Sequence, residues 1–443
     1  MEKSTSYLKC WIYLLVGFVF FVFRLGLGGD DTSAMHLLGY MVCSLLFGIA
    51  SIKLQTDSHV AFITWTLVTI GLITQMAFEL KVKDLLKLYV LLFCAIFVSW
   101  ILLKGYEKLK DRLENKYFLI FLLVLNIIIF GITLGVGFSI NGTRAWIGIP
   151  NVFSFQTTEI NVLISTILIA EILDSYNDSR KGMLLLVGLW LVDTVFLVWE
   201  HELGSLLLIS FLIVFSCCFF MDSKTIGRFF IILIVVALTV SFIVYRIYIS
   251  NKTRDYSTLN GIVKIVFDQT QKVVERFKIA YCGEEPLGAG YQSTIACYEM
   301  YLAGLTGRFL IMEANLPVRE SEYIYVSAVY YFGWIIGAVI ILLYIGLWIR
   351  GIGLAALKDR RRALYTVCSS SIFLNAVINI LGETRIIPLT GMVLPFMSKG
   401  GSALIRSFTL ALIIRSPEAQ IRQKNRRRIK KSEKKYQIQN VHS

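Results

Sequence analysis

Glu285 precedes the run Pro286-Leu287-Gly288-Ala289-Gly290-Tyr291-Gln292, in which Gly288 and Gly290 allow backbone to approach a bulky ligand closely. A carboxylate in such a turn at a membrane–water boundary is partly desolvated, which raises its pKa toward the range of a general base. The same residue also reads as a solvated loop carboxylate, with Glu284 as the alternative should the register shift by one. Three further segments carry residues of matching chemistry. The first is Asn141-Gly142-Thr143-Arg144-Ala145-Trp146-Ile147-Gly148, followed by Phe155-Gln156-Thr157-Thr158-Glu159. The second is Glu200-His201-Glu202-Leu203-Gly204-Ser205, and the third runs from Pro388 through Pro395 to Ser398-Lys399-Gly400-Gly401-Ser402. Downstream of Glu285 lie Gly304-Leu305-Thr306-Gly307 and Leu316-Pro317-Val318-Arg319-Glu320-Ser321-Glu322-Tyr323. Arg144, Arg319, Arg385 and Lys399 supply cations suited to phosphate oxygens, or else anchor lipid headgroups. Glu159, Glu202 and Glu322 offer carboxylates for a divalent cation, or cap helix mouths.

The elements that must position these residues are membrane helices. Of 443 residues, 56% are hydrophobic and only 17% charged, which excludes a soluble enzyme, a disordered chain and a disulfide scaffold. Twelve apolar segments can be drawn, at 9–26, 35–54, 59–80, 86–104, 117–137, 159–175, 183–199, 203–221, 228–249, 323–349, 363–381 and 400–414. The expected fold is therefore an all-α polytopic membrane protein of about twelve transmembrane helices. Lys and Arg concentrate at 104–116, 180–181, 224–228, 350–362 and beyond 415, which places both termini on the cytoplasmic side. Residues 1–116 form the N-terminal spans, 117–414 a transmembrane core with a large extracellular loop at 250–322, and 415–443 a basic tail. That tail holds ten Lys/Arg against two Glu, +8 of the chain's net +14. It suits anionic membrane lipid, and no folded nucleic-acid module accompanies it.

Five of the six prolines fall in the outward segments, so that face holds most of the non-helical structure. Within 250–322, Ile262, Ile265, Val266, Val273 and Phe277 recur at helical spacing. This predicts an amphipathic helix lying on the outer leaflet or packed on the other loops. Asp193 stands alone in its span, either as a proton carrier of a transporter or as a structural group bonded to a neighbour's Ser, Thr or Asn. Cys282 and Cys297 share one outward loop, and spacing does not decide whether they pair. The histidines show no metal-ligand spacing, although His201 lies between two glutamates.

The four segments, in this order, resemble the SEDS family of RodA/FtsW/SpoVE-type proteins (shape, elongation, division and sporulation). The resemblance runs from about Asn141 to Ser402. It implies a peptidoglycan glycosyltransferase of the bacterial cytoplasmic membrane, which polymerises undecaprenyl-linked lipid II at the outer face in cell-wall synthesis for shape, division or sporulation. It also implies a class B penicillin-binding protein as the partner transpeptidase. Carried over by motif, Glu285 takes the catalytic place, where the family usually has Asp. Arg144, Trp146, Gln156, Glu159, Gly288, Gly290, Tyr291, Arg319, Glu322, Ser398, Lys399 and Gly400 become substrate-binding positions. No cofactor is required by the resemblance, and a divalent cation stays open. The chain departs from the pattern at Glu202 and Glu322, where Asp is usual, and at Val162, where a Lys usually follows the glutamate by three residues. An Arg-Trp pair reads Ala145-Trp146, Glu-Glu-Leu-Gly reads Tyr330-Tyr331-Phe332-Gly333, and Ser-Tyr-Gly-Gly reads Ser398-Lys399-Gly400-Gly401. Family members usually have ten spans, so the two segments within 9–54 form an extra pair. Two other readings accommodate these departures: a flippase or transporter of a lipid-linked precursor, and a scaffold that retains the fold without catalysis.

Overall fold

The computed structural model describes residues 33–78, 82–140, 143–149, 153–176, 180–221, 261–282, 290–308, 316–355 and 362–416, with scattered positions in 227–250. Helices α1 (Ser33–Leu54), α2 (Ser58–Met76), α3 (Val82–Arg112) and α4 (Asn115–Val136) precede a small sheet. After it come α5 (Thr158–Ser175), α6 (Arg180–Glu200) and α7 (Leu203–Phe220), then α8 (Gly261–Phe277) and α9 (Tyr291–Ala303). The chain closes with α10 (Ile324–Ala355), α11 (Arg362–Glu383) and α12 (Gly401–Leu412). Ten of the twelve apolar segments thus coincide with helices; segment 9–26 and most of 228–249 lie outside the described residues, as does the tail beyond Ser416.

Among the described residues, eight helices are long and apolar enough to cross a membrane, which makes this a multi-pass membrane protein. Their outer faces are apolar and exposed. On α3, Leu86, Val90, Phe93, Phe97 and Ile101 form an apolar stripe at helical spacing, exposed among the described residues as a lipid-facing surface requires. By contrast, α5 and α12 are buried on nearly every side, so they are the posts around which the other helices stand. The connections read from charge as cytoplasmic share one end of the bundle. There Arg350 grips Asp57 through Nε and Nη2 at 3.0 and 2.8 Å, Lys110 pairs with Glu171, and Arg415 pairs with Glu107. The outward connections gather at the opposite end.

Several polar groups inside the bundle bond to one another across helices, which lowers the cost of placing them in hydrocarbon. Asn126 donates to Asp193 at 2.9 Å and accepts from Asn161 at 2.8 Å, a knot that joins α4, α5 and α6. Asp193 is thus bonded through Oδ1 to an Asn of a neighbouring helix, the contact that the structural reading expects. Gly333 breaks α10 with φ 84°, and the turn after α9 meets the break, Trp334 N–H donating to the Gly304 carbonyl at 3.1 Å.

The all-α expectation needs one correction. Residues 138–156 form a three-stranded antiparallel sheet of β1 (Phe138–Ile140), β2 (Thr143–Ile149) and β3 (Phe153–Gln156). β-branched and aromatic residues flank Asn141-Gly142, a dipeptide that favours tight hairpins.

The loop at 388–400 dips back between helices because small residues and side-chain amides receive it. A Cβ on Gly71 of α2 would lie 2.6 Å from Met397 Cα, and Gln75 Nε2 donates to the Met397 carbonyl at 2.9 Å. Gly71→Ala is expected to cost about 1–3 kcal/mol through overpacking. Gly105→Ala, which meets nothing within 4 Å, should hold or raise stability. Melting curves in detergent check this, and equal behaviour of the two variants would contradict it.

Candidate active site

At the outward end, the sheet, the α6–α7 turn, α8, α9 and the two loops before α10 and α12 enclose a partly open cavity of about 530 Å³. Trp146 and Gln156 are register partners across β2 and β3, and both line it. Gln156 is fixed twice: its backbone N–H donates to Ser402 Oγ at 2.9 Å, and its Nε2 donates to Glu202 Oε1 at 2.8 Å. The second segment contributes His201 and Glu202, His201 held at φ 64° in the tight turn between α6 and α7. From the stretch that follows Glu285 come Gln292 and Ser293 of the first turn of α9, and Ser321, Glu322 and Tyr323 before α10. The segment from Pro388 to Ser402 supplies Thr390, Gly391, Val393, Lys399 and Gly400. All four chemistry-bearing segments of the sequence therefore meet in one place.

The cavity is ionic and mixed in sign. Arg276, Arg385 and Lys399 bring positive charge; Glu202 and Glu322 bring carboxyls. Lys399 Nζ donates to Glu320 Oε2 at 2.8 Å, and Arg385 Nη2 donates to the Ile279 carbonyl at 2.7 Å, which ties α8's trailing turn to the loop after α11. Burial first, then the charge of Glu159, pushes Glu202 up to about 7, against the opposing pull of Gln156 and Arg276. Glu322 is likewise raised by burial and lowered in part by Arg276. Burial and the Lys272 ammonium, 3.3 Å from Nδ1, push His201 down, so its ring is neutral at physiological pH. Such a site presents a carboxyl poised between its two states beside fixed cations, the pairing needed to move a proton while stabilising an anion.

Of the expected site residues, Trp146, Gln156, Glu322, Lys399 and Gly400 line the cavity. Gly290 is buried at the start of α9, and Tyr291 beside it is partly exposed. Ser398 holds the loop, accepting from Leu394 N–H at 2.9 Å and donating to the Ser321 carbonyl at 2.7 Å. Arg144 is turned away, its Nε donating to the Gly137 carbonyl at 3.2 Å. Arg319 likewise points elsewhere, its guanidinium 4.6 Å from the centre of the Phe78 ring. Glu159 lies beneath the cavity, paired with Arg406 of α12 at 3.0 Å. Glu285 and Gly288 fall outside the described residues. The chain leaves those residues after Ile279 and Ala280 and re-enters before Gln292 and Ser293, all four of which line the cavity.

Among the described residues no three His, Cys, Asp or Glu side chains come together as a metal-binding set. Glu159, Glu202 and Glu322 are engaged with Arg406, Gln156 and the field of Arg276 respectively. Cys297 carries a free thiol near Arg385. Sequence reasoning missed Arg276 and Arg406. Arg276 belongs to the amphipathic helix, whose polar face acquires a direction only when α8 packs over the cavity. Arg406 did carry a signal, as a charge inside an apolar run.

Fold and site together define an integral-membrane protein with a polar cavity at one end of a helical bundle. The profile described as "Cell cycle protein", covering FtsW, RodA and SpoVE, matches residues 58–423, and the chain belongs to this family. The match begins after the first two apolar segments. The chain is 26% identical over 280 residues to stage V sporulation protein E of Bacillus subtilis, covering 61% of this chain and 70% of that protein. It is also 26% identical over 299 residues to the peptidoglycan glycosyltransferase RodA of Mycobacterium bovis. That match covers 62% of this chain and spans little more than half of the relative, 57%. A solved structure titled as the structural coordination of polymerization and crosslinking by a peptidoglycan synthase complex superposes with a TM-score of 0.62 at 19% identity. It covers 81% of this chain and 97% of that one, and establishes the shared fold.

Because Glu202 titrates near 7 from a raised position, it is the neutral acid below that pH and the carboxylate above it. Turnover that uses its charge should fall as pH drops through about 7. Glu202→Gln should remove that acid limb from the kcat/KM profile; a limb of unchanged midpoint in the variant would contradict the assignment.

Proposed function

We propose that this chain is a peptidoglycan glycosyltransferase that polymerises lipid II into glycan strands at the outer face of the bacterial cytoplasmic membrane. The observation that carries this reading is the convergence of all four outward motifs on one ionic cavity in a chain of the FtsW/RodA/SpoVE family. The topology that suits it has twelve spans with both termini inside, which sets the cavity outside and the Asp57–Arg350 clamp inside.

In this reading Glu285 is the base. Its carboxylate takes the proton of the acceptor sugar hydroxyl as that oxygen attacks the anomeric carbon of the donor, and the bond to the lipid diphosphate breaks. Arg276, Arg385 and Lys399 meet the charge that develops on the departing diphosphate. Trp146 and Gln156 present an aromatic face and an amide to the sugar, and Glu322, Gly290, Tyr291 and Gly400 shape its surroundings. Arg144 and Arg319, outside the cavity, are assigned to headgroups at its approaches. No resident metal is proposed; a divalent cation, where one takes part, arrives on the substrate diphosphate and faces Glu202 and Glu322. The partner is a transpeptidase of the class B penicillin-binding type, a pairing supported by the synthase complex whose fold this chain shares. A flippase reading is less well supported, because Asp193 Oδ1 is tied to Asn126 inside the bundle and Asp193 does not line the cavity where the motifs meet.

The test is glycan-strand formation from fluorescent lipid II by purified protein, with and without a partner transpeptidase. Wild type should polymerise, and Glu285→Gln should lose about 100-fold or more. Glu285→Asp should keep or raise the rate. Polymer that persists in Glu285→Gln would show that the base lies elsewhere. Absence of polymer from wild type, with activity only in Glu285→Asp, would identify a scaffold.

A further inference from the structure

Arg406 is 2% exposed, in a helix whose other residues from Ala403 to Leu412 are apolar or hydroxyl-bearing. Its Nε stands 3.0 Å from Glu159 Oε2 on α5. Burying such a pair brings little net stability, since two charges must be desolvated to make it. Its placement, however, is not that of an ordinary brace. Arg406 lies one helical turn below Ser402 and Ala403, both of which line the cavity. Ser402 Oγ receives the Gln156 N–H, and Gln156 in turn binds Glu202. Glu159 acts on Glu202 electrostatically from beneath. A column therefore runs from Arg406 through Glu159 to the cavity carboxyl, with Ser402 and Gln156 beside it. On the same face of α5, three residues after Glu159, stands Val162, fully buried.

We propose that Arg406 is a positioning residue for the active site: from α12 it holds Glu159 beneath Glu202, so that the charge under the cavity carboxyl is set by a cation on a different helix. This rests on the glycosyltransferase reading. The ion pair crosses from one helix to the other instead of lying along one helix, which makes the active-site floor depend on the α5–α12 contact.

The proposal is tested by moving the charge. Wild type, Arg406→Met, Arg406→Lys and the double variant Arg406→Met with Val162→Lys are compared in lipid II polymerisation, with melting curves for each. Arg406→Met should lower kcat about 100-fold while KM stays within about threefold, and the melting temperature should fall because Glu159 is left buried without its partner. The double variant should recover at least a tenth of the wild-type kcat. A folded double variant no more active than Arg406→Met overturns the proposal, as does Arg406→Met with wild-type kcat. Should Arg406→Met not fold, the double variant and Arg406→Lys decide: folded and active supports the proposal, folded and inactive overturns it. Wild type that makes no polymer overturns the underlying reading and this proposal with it, whereas failure of charge relocation in an active wild type overturns this proposal alone.

Discussion

Glu159 and Arg406 meet at 3.0 Å between the two helices that have almost no lipid-facing side, and much of the architecture follows from the need to bury that meeting. Charges at membrane depth persist only when each has a partner and the surrounding helices exclude lipid. Around α5 and α12 the bundle supplies that exclusion: α3 and α11 pack against the pair, and α4, α6 and α7 close round α5. The outer helices can then be apolar toward the bilayer, with their polar residues turned inward to the Asn126–Asp193–Asn161 knot.

The same constraint explains how irregular backbone reaches the chamber. The loop preceding α12 carries carbonyls that would be orphaned in hydrocarbon, and neighbouring side chains take them one by one: Asn379 at Met392, Tyr344 at Pro395 and Gln75 at Met397. Non-helical chain at this depth is tolerated because protein surrounds it or it faces the cavity. Above it, α8 and its trailing turn form the far wall, joined to the α6–α7 turn through Lys272 and His201 and to the loop after α11 through Arg385.

The helical scaffold was legible in the sequence because hydrocarbon thickness sets a length that apolar runs must match, and because Lys and Arg mark alternate connections. The convergence of the motifs was legible only in part. Trp146 and Gln156 were named from separate stretches, but their pairing depended on a sheet whose short strands lack the length to announce themselves beside membrane helices. Arg144 and Arg319 were chosen for charge and outward position, which cannot tell a side chain facing the chamber from one folded back on Gly137 or stacked on Phe78. Arg276 and Arg406 show the converse. Their importance comes from which neighbour their helix packs against, information that is tertiary and leaves a trace in the sequence only when, as with Arg406, the charge sits where lipid would forbid it.

The account stands on one claim, that the cavity ringed by Trp146, Glu202, Glu322 and Lys399 receives the polar end of a lipid-linked sugar. Photo-crosslinking measures this directly, with a benzophenone amino acid placed at Trp146 or Thr390 inside the cavity and at Ile120 on the exposed face of α4. After incubation with lipid II and illumination, adducts carrying the sugar-peptide should form at the two cavity positions. They should be competed by unlabelled lipid II and be absent at Ile120. Labelling at Ile120 alone, or equal uncompeted labelling at all three positions, would contradict the account.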